Sequence, residues 1–214
     1  RNSSITCAKP DCRKRKPMAV REILKMGHPT LKMISEPVSD PTAPEIAAIA
    51  RDLEDTLDDI ERGAIAAPQI GEAKRIVVYR QAQRFLTDPS ASLTGKWSVL
   101  VNPVITLLTE DRIIGWELCL SIPGLHGKVS RHSRINLSYQ TLDGGSVSED
   151  MEGDGAVMVQ HECDHLDGIL YPMRMTDLSL LEFNTVPGAM AEDAGRGVQL
   201  WPPLQEMVDR WRQN

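Results

Sequence analysis

Nine consecutive residues, Gln160-His161-Glu162-Cys163-Asp164-His165-Leu166-Asp167-Gly168, constrain this 214-residue chain more than any other stretch. They contain His-Glu-x-x-His. In a helix, side chains four residues apart leave the same face, so both imidazoles can reach one metal ion. Glu162 then stands beside them, able to handle the proton of an activated water without being a ligand. The preceding Ala156-Val157-Met158-Val159 is apolar enough to bury such a helix, and Gly168 is a stop signal after it. The pattern alone leaves a second reading open: a buried helix that carries two histidines.

Length and composition point to one soluble globular domain with a mostly aliphatic core, since aromatic residues make up only 4%. No apolar run is long enough to span a bilayer, and no secretory signal peptide is visible. The net charge of −6 is split: residues 1–17 carry six bases against Asp11, or +5, so the rest carries −11. A body that acidic does not attract nucleic acid through its field. Four cysteines make no disulfide scaffold, and a reducing compartment is expected. Cys163 falls on a different helix face from the histidines and reads as small and half-buried.

Residues 1–17 read as a disordered basic leader: a targeting segment, a processed extension or a cloning remnant. Residues 18–214 read as a single catalytic domain starting at Met18. Pro44 to Arg62 predicts a helix, with Ile46, Ile49, Leu53, Leu57 and Ile60 forming one apolar stripe. Residues 63–71 are small-residue text whose one committed polar side chain is Gln69, and 75–79 read as a strand. Residues 81–97 are polar and turn-like. Val99 to Leu108 reads as a strand that Pro103 interrupts, hence an edge or a bend. Residues 115–124 read as strand or extended loop closed by a turn at Pro123-Gly124. Gly127–Ser130 and Ile135–Gln140 alternate like a hairpin arm, Asp143-Gly144-Gly145 reads as the hairpin turn, and the return arm runs towards Glu149-Asp150. After Gly168 the chain predicts an extended piece over 169–172, a short helix over Asp177–Phe183, irregular chain over 185–200 and a last helix over 202–212.

Two histidines need at least one further protein ligand. No histidine follows His165, while Glu182 and Glu192 remain open on spacing. Upstream, Cys119 in extended apolar text is a credible thiolate. His28, His126 and His132 lie in polar or turn contexts and read as surface residues.

Three segments in order resemble the peptide deformylases: Ala66-Ala67-Pro68-Gln69-Ile70-Gly71, Glu117-Leu118-Cys119-Leu120-Ser121, and the 160–168 stretch. The likeness covers residues 18–183. It implies an α+β fold in which antiparallel sheets surround a central metal-binding helix. It implies a metal-dependent hydrolase that removes the formyl group from N-formylmethionine on newly made polypeptides. By matching position, Cys119, His161 and His165 would hold one divalent metal, iron(II) as a rule, with zinc, nickel or cobalt able to occupy the site. Glu162 would be the general base and then the acid. Gln69 and the backbone N–H of Leu120 would bind the formyl oxygen. Arg131 matches a family arginine and would pair with Asp164 to prop the metal helix, and Ile65, Val157 and Met158 are candidates for the methionine pocket.

The resemblance further implies a cytoplasmic, bacterial-like enzyme, a monomer or weak dimer, with a formylated polypeptide as partner and neither membrane nor nucleic acid. The basic leader leaves organellar targeting open. The ribosome is a further candidate partner for the last helix, although its apolar side favours packing on the body. The chain departs from the family pattern at Arg62, Ala64 and Leu118, where glycines are usual. Three alternatives stay open: a deformylase-like protein of reduced or shifted activity, a zinc peptidase with a glutamate ligand after the helix, or a non-catalytic module.

Overall fold

The computed structural model describes residues 20–60, 63–80 and 97–184. Helix α1 (Pro44–Asp59) is followed by strands β1 (Ala64–Ala66), β2 (Ile76–Arg80), β3 (Trp97–Leu107), β4 (Arg112–Cys119), β5 (Ile122–His132), β6 (Arg134–Gln140) and β7 (Ser146–Glu152). Helix α2 (Gly153–Leu166) and strand β8 (Leu181–Phe183) complete the described elements. One sheet has the order β1-β2-β3-β6-β7 and the other β4-β5-β8, and their strand pairings are antiparallel. The architecture is α+β, as the sequence resemblance implied.

Strand β2 shows why the five-stranded sheet is a middle layer. Successive side chains of a strand point to opposite faces. Ile76 and Val78 join the core cluster that contains Leu53 and Leu57 of α1. Val77 and Tyr79 join the cluster that contains Ala156, Val159, Cys163 and Leu166 of α2. The uninterrupted apolar run of β2 is therefore buried by a helix on each face. The α2 stripe has the three- and four-residue spacing of one helical face, leaving the neighbouring face for His161 and His165. The three-stranded sheet packs its own cluster of Cys119, Ile122, Val129, Leu170 and Tyr171 beside α2.

Gly168 ends α2 as expected. Its φ is +71°, and a Cβ there would come within 2.7 Å of the Lys32 backbone. Helix α1 starts at Pro44 but closes at Asp59, with the Ile60 N–H donating to the Thr56 carbonyl; residues 61 and 62 lie outside the described residues.

Four readings are corrected. Strand β3 is central, not an edge: β2 and β6 flank it, and Pro103 is accommodated by a register shift between Val101 and Val104. Asn102 at that bulge has φ +53° and clasps Val38, with both amide atoms bonded to its backbone at 2.8 Å. Pro123-Gly124 is no turn, because β4 reverses into β5 at Leu120-Ser121, where Cys119 faces Ile122. Residues 181–183 form a strand after a single 3-10 turn (Leu178–Leu180), since pairing with β5 satisfies their backbone and packs the half-buried Leu181 against the cluster of the three-stranded sheet. The extended piece at 169–172 becomes a 3-10 turn over Tyr171–Arg174. The readings for residues 1–17, 81–96, 185–200 and 202–212 fall outside the described residues.

Candidate active site

Cys119 ends β4 with its side chain turned towards α2. His161 and His165 approach it from one helical turn of α2, their rings edge to face at 5.1 Å. One ligand atom from each of the three residues lies within 4.8 Å of the other two, and all three residues are buried. Cys119 Sγ and His165 Nε2 are 3.3 Å apart. His161 Nδ1 is 2.7 Å from Glu117 Oε2, which leaves its Nε2 for the cluster. A sulfur and two imidazole nitrogens converging in a buried pocket fit a borderline-soft divalent ion, with a further position open to water or substrate.

Glu162 is buried beside the cluster, and its Oε2 has no hydrogen-bond partner among the described residues. Burial raises its carboxyl to about 7, with the Glu117 charge adding to the rise and His161 opposing it. Gln69 is buried in the 3-10 turn Ala67–Ile70. Its Oε1 accepts from the Ala66 N–H at 2.8 Å, which aims Nε2 at Ser121 Oγ (3.2 Å) and the Cys119 sulfur (3.8 Å). Leu120 sits in the β4–β5 turn directly after Cys119, and its carbonyl accepts from Lys25 Nζ at 3.3 Å.

Arg131 on β5 ties this group together. Its Nε and one terminal nitrogen donate to the two Glu117 oxygens at 2.7 and 2.9 Å, and the other nitrogen donates to Asp164 at 2.5 Å. The Arg131 and Asp164 side chains are 5% and 9% exposed, so the expected pair is a buried one. Arg174 adds two bonds to Asp164, at 2.7 and 3.1 Å. A line of hydrogen-bonded side chains thus runs Arg174–Asp164–Arg131–Glu117–His161. Burial alone would raise the Glu117 carboxyl; hydrogen bonds from Arg131 and His161 outweigh it and hold it at about 2. An imidazole whose distal nitrogen faces a carboxylate is oriented and made a more basic ligand.

The structure brings Gln69, Leu120, Cys119, His161, Glu162 and His165 to one place. It places other residues elsewhere. His126 and His132 are buried, correcting the surface reading, yet neither joins the cluster. His126 lies 2.7 Å from Asn184 Oδ1 and 3.4 Å from Glu182. His132 lies between the Thr109 carbonyl and Arg112. Glu182 thus lies beside His126 and is not among the clustered ligand atoms, and Glu192 lies outside the described residues. Ile65 is taken up by the core against α1; Val157 and Met158 are half-buried one turn before His161, Met158 packing against the cluster under α2. Ala64 and Leu118 sit on the outer strands β1 and β4. Neither has a positive φ, so neither position needs glycine's freedom.

The sequence reading assigned no role to three contributors, two of which lie inside the quoted motifs. Glu117 shares the Cys119 face two residues earlier in the strand, a period-two signal that could have been used. Gln160 fastens α2 to β5 by accepting from the His132 N–H (3.1 Å) and donating to its carbonyl (2.9 Å). Tyr171 stacks on His161 at 6.3 Å between ring centroids. No spacing in the sequence points to the last two.

Comparison with known proteins gives the family. A sequence profile of the family described as Polypeptide deformylase matches residues 20–180. Peptide deformylase 1 of Prochlorococcus marinus is 43% identical over 169 residues, covering 78% of this chain and 86% of that protein. Peptide deformylase 1 of Nitrosomonas europaea is 42% identical, over 74% of this chain and 89% of that protein. Among solved structures, a Met-Ala-Ser-bound class I type b peptide deformylase from Acinetobacter baumannii superposes with a TM-score of 0.66 at 31% identity, covering 74% of this chain and 99% of that one. With two sheets, a Cys-His-His cluster and relatives that agree along most of the chain, this protein belongs to the peptide deformylase family.

Proposed function

We propose that the chain hydrolyses the formyl group from N-formylmethionine at the start of new polypeptides, giving formate and a free methionine amine. The observation that carries this is the buried Cys119–His161–His165 cluster with Glu162 beside it, whose Oε2 has no hydrogen-bond partner among the described residues. Cys119, His161 and His165 are the proposed ligands of one divalent ion, iron(II) first, with zinc, nickel or cobalt as substitutes. Such an ion supplies an acidic water and a positive charge beside the forming oxyanion. Glu162 takes the proton of the attacking water and returns it to the leaving amine as the C–N bond breaks. Gln69 Nε2 and the Leu120 N–H donate to the formyl oxygen, whose charge grows in the transition state. Glu117 holds His161 in place, and Arg131 holds Glu117. Val157 and Met158 line the side where a methionine side chain would rest.

Single-domain organisation, a monomeric or weakly dimeric state and a cytoplasmic setting complete the reading, with the ribosome as a further partner. The unpaired Cys119 and Cys163 thiols support a reducing compartment. No helix among the described residues is long and apolar enough to cross a membrane.

Formate release from formyl-Met-Ala-Ser by anaerobically purified protein tests the activity. Glu162→Gln should lose at least ~10²-fold in kcat with its metal content unchanged. No formate from the unaltered chain overturns the reading. A shifted peptide preference is a second reading, favoured by Leu118, 38% exposed on the outer strand next to Cys119. Leu118→Gly that leaves KM unchanged across longer formyl peptides removes it.

A further inference from the structure

Residues 21–36 contain none of the three motifs, yet they are bonded to all of them. Arg21 donates to the Ile70 carbonyl at 3.2 Å, and the Ser35 N–H donates to the Leu166 carbonyl at 2.8 Å. Between these, three consecutive residues make a tighter set. The Leu24 N–H donates to the Gln69 carbonyl at 2.8 Å, Lys25 Nζ to the Leu120 carbonyl at 3.3 Å, and the Met26 N–H to the Ser121 carbonyl at 2.7 Å.

The bonded partners come from different layers. Gln69 follows β1 of the five-stranded sheet, while Leu120 and Ser121 join β4 to β5 of the three-stranded one. The two donors assigned to the formyl oxygen are therefore built by separate sheets. Their spacing is held across the gap by the Gln69–Ser121 side-chain bond and by the short strap from Leu24 to Met26. An oxyanion site depends on donors preset at the right separation, and a displacement of about 1 Å can cost on the order of 10² in rate.

We propose that Leu24, Lys25 and Met26 are positioning residues that set the separation between the Gln69 amide and the Leu120 N–H. This rests on the roles given to those two groups in deformylation. The strap acts on the donors of the developing oxyanion, so its loss lowers kcat and leaves KM and metal binding in place. Lys25 and Met26 are exposed, so changing their side chains opens no core cavity.

The test uses the full chain with Lys25→Met, Lys25→Arg and Met26→Pro, and Glu22→Gln as an exposed neighbour. Measured are kcat and KM on formyl-Met-Ala-Ser, metal per chain, Tm and amide hydrogen exchange across residues 118–122. Lys25→Met should lower kcat by ~3–10-fold at unchanged KM, metal content and Tm, and Lys25→Arg should restore it. Met26→Pro, which removes the backbone donor, should lower kcat further and speed exchange across the turn. Glu22→Gln should match the unaltered chain. Unaltered kcat in a variant overturns the role of the residue changed, and so does a kcat loss that only tracks lost metal or lost Tm. If the unaltered chain releases no formate, deformylation itself falls. The strap is then judged on exchange alone, where unchanged protection in Met26→Pro overturns it.

Discussion

Two arginines in this protein each lie between two carboxylates, and burial separates what they do. Arg21 donates to Asp52 at 2.9 Å and Glu72 at 3.2 Å, with side chains 37%, 24% and 35% exposed. Arg131 meets Glu117 and Asp164 at 2.5 to 2.9 Å, with side chains less than a tenth exposed. The first cluster fastens the chain near its start to α1, where water and salt screen the charges. In the second, each carboxylate has left water and depends on the guanidinium for compensation. A guanidinium between two carboxylates is thus a surface clasp in one place and the support of a ligand histidine in the other.

The comparison can be broken most directly at Arg131. Arg131→Met leaves Glu117 and Asp164 buried without a full counter-charge and should cost about 3–5 kcal/mol in urea unfolding. A cost below ~1 kcal/mol would erase the distinction between the clusters. Glu117→Gln should come next: it weakens the hold on His161, and metal affinity measured by chelator competition should drop by ~10–100-fold. Arg174→Met should cost no more than about 1 kcal/mol, because that side chain is half exposed and Asp164 keeps its bond to Arg131. Arg21→Met should be the smallest, within ~0–1 kcal/mol, and its effect should vanish near 1 M salt, where the Debye length is about 3 Å. A salt-sensitive Arg131 variant beside a salt-insensitive Arg21 variant would invert the comparison.

The clusters also mark what a sequence can reveal. His161 and His165, the stop at Gly168 and the hairpin at Asp143-Gly144 follow from local periodicity and turn chemistry, and all appear where expected. The Arg131–Asp164 pair was reachable through the family resemblance. Its burial was not, since burial depends on which sheet closes over which helix. Tertiary packing also decided the remainder. Pro103 suggested an edge, but a bulge at Asn102 lets β3 run through the middle of the sheet. Asp177–Phe183 looked helical, but the free side of β5 draws Leu181–Phe183 into a strand. His126 and His132 looked exposed because their sequence neighbours are polar, while the partners that bury them come from neighbouring elements of the fold, Trp116 from across the β4–β5 hairpin and Gln160 from α2.

The proposed ligands straddle a boundary. Cys119 belongs to the three-stranded sheet, while His161 and His165 ride on the helix that covers the five-stranded one. An ion shared by them would act as a rivet between two halves of the molecule. Occupancy would then govern how readily the halves gape, so a protease should nick the stripped protein along that seam well before either half melts.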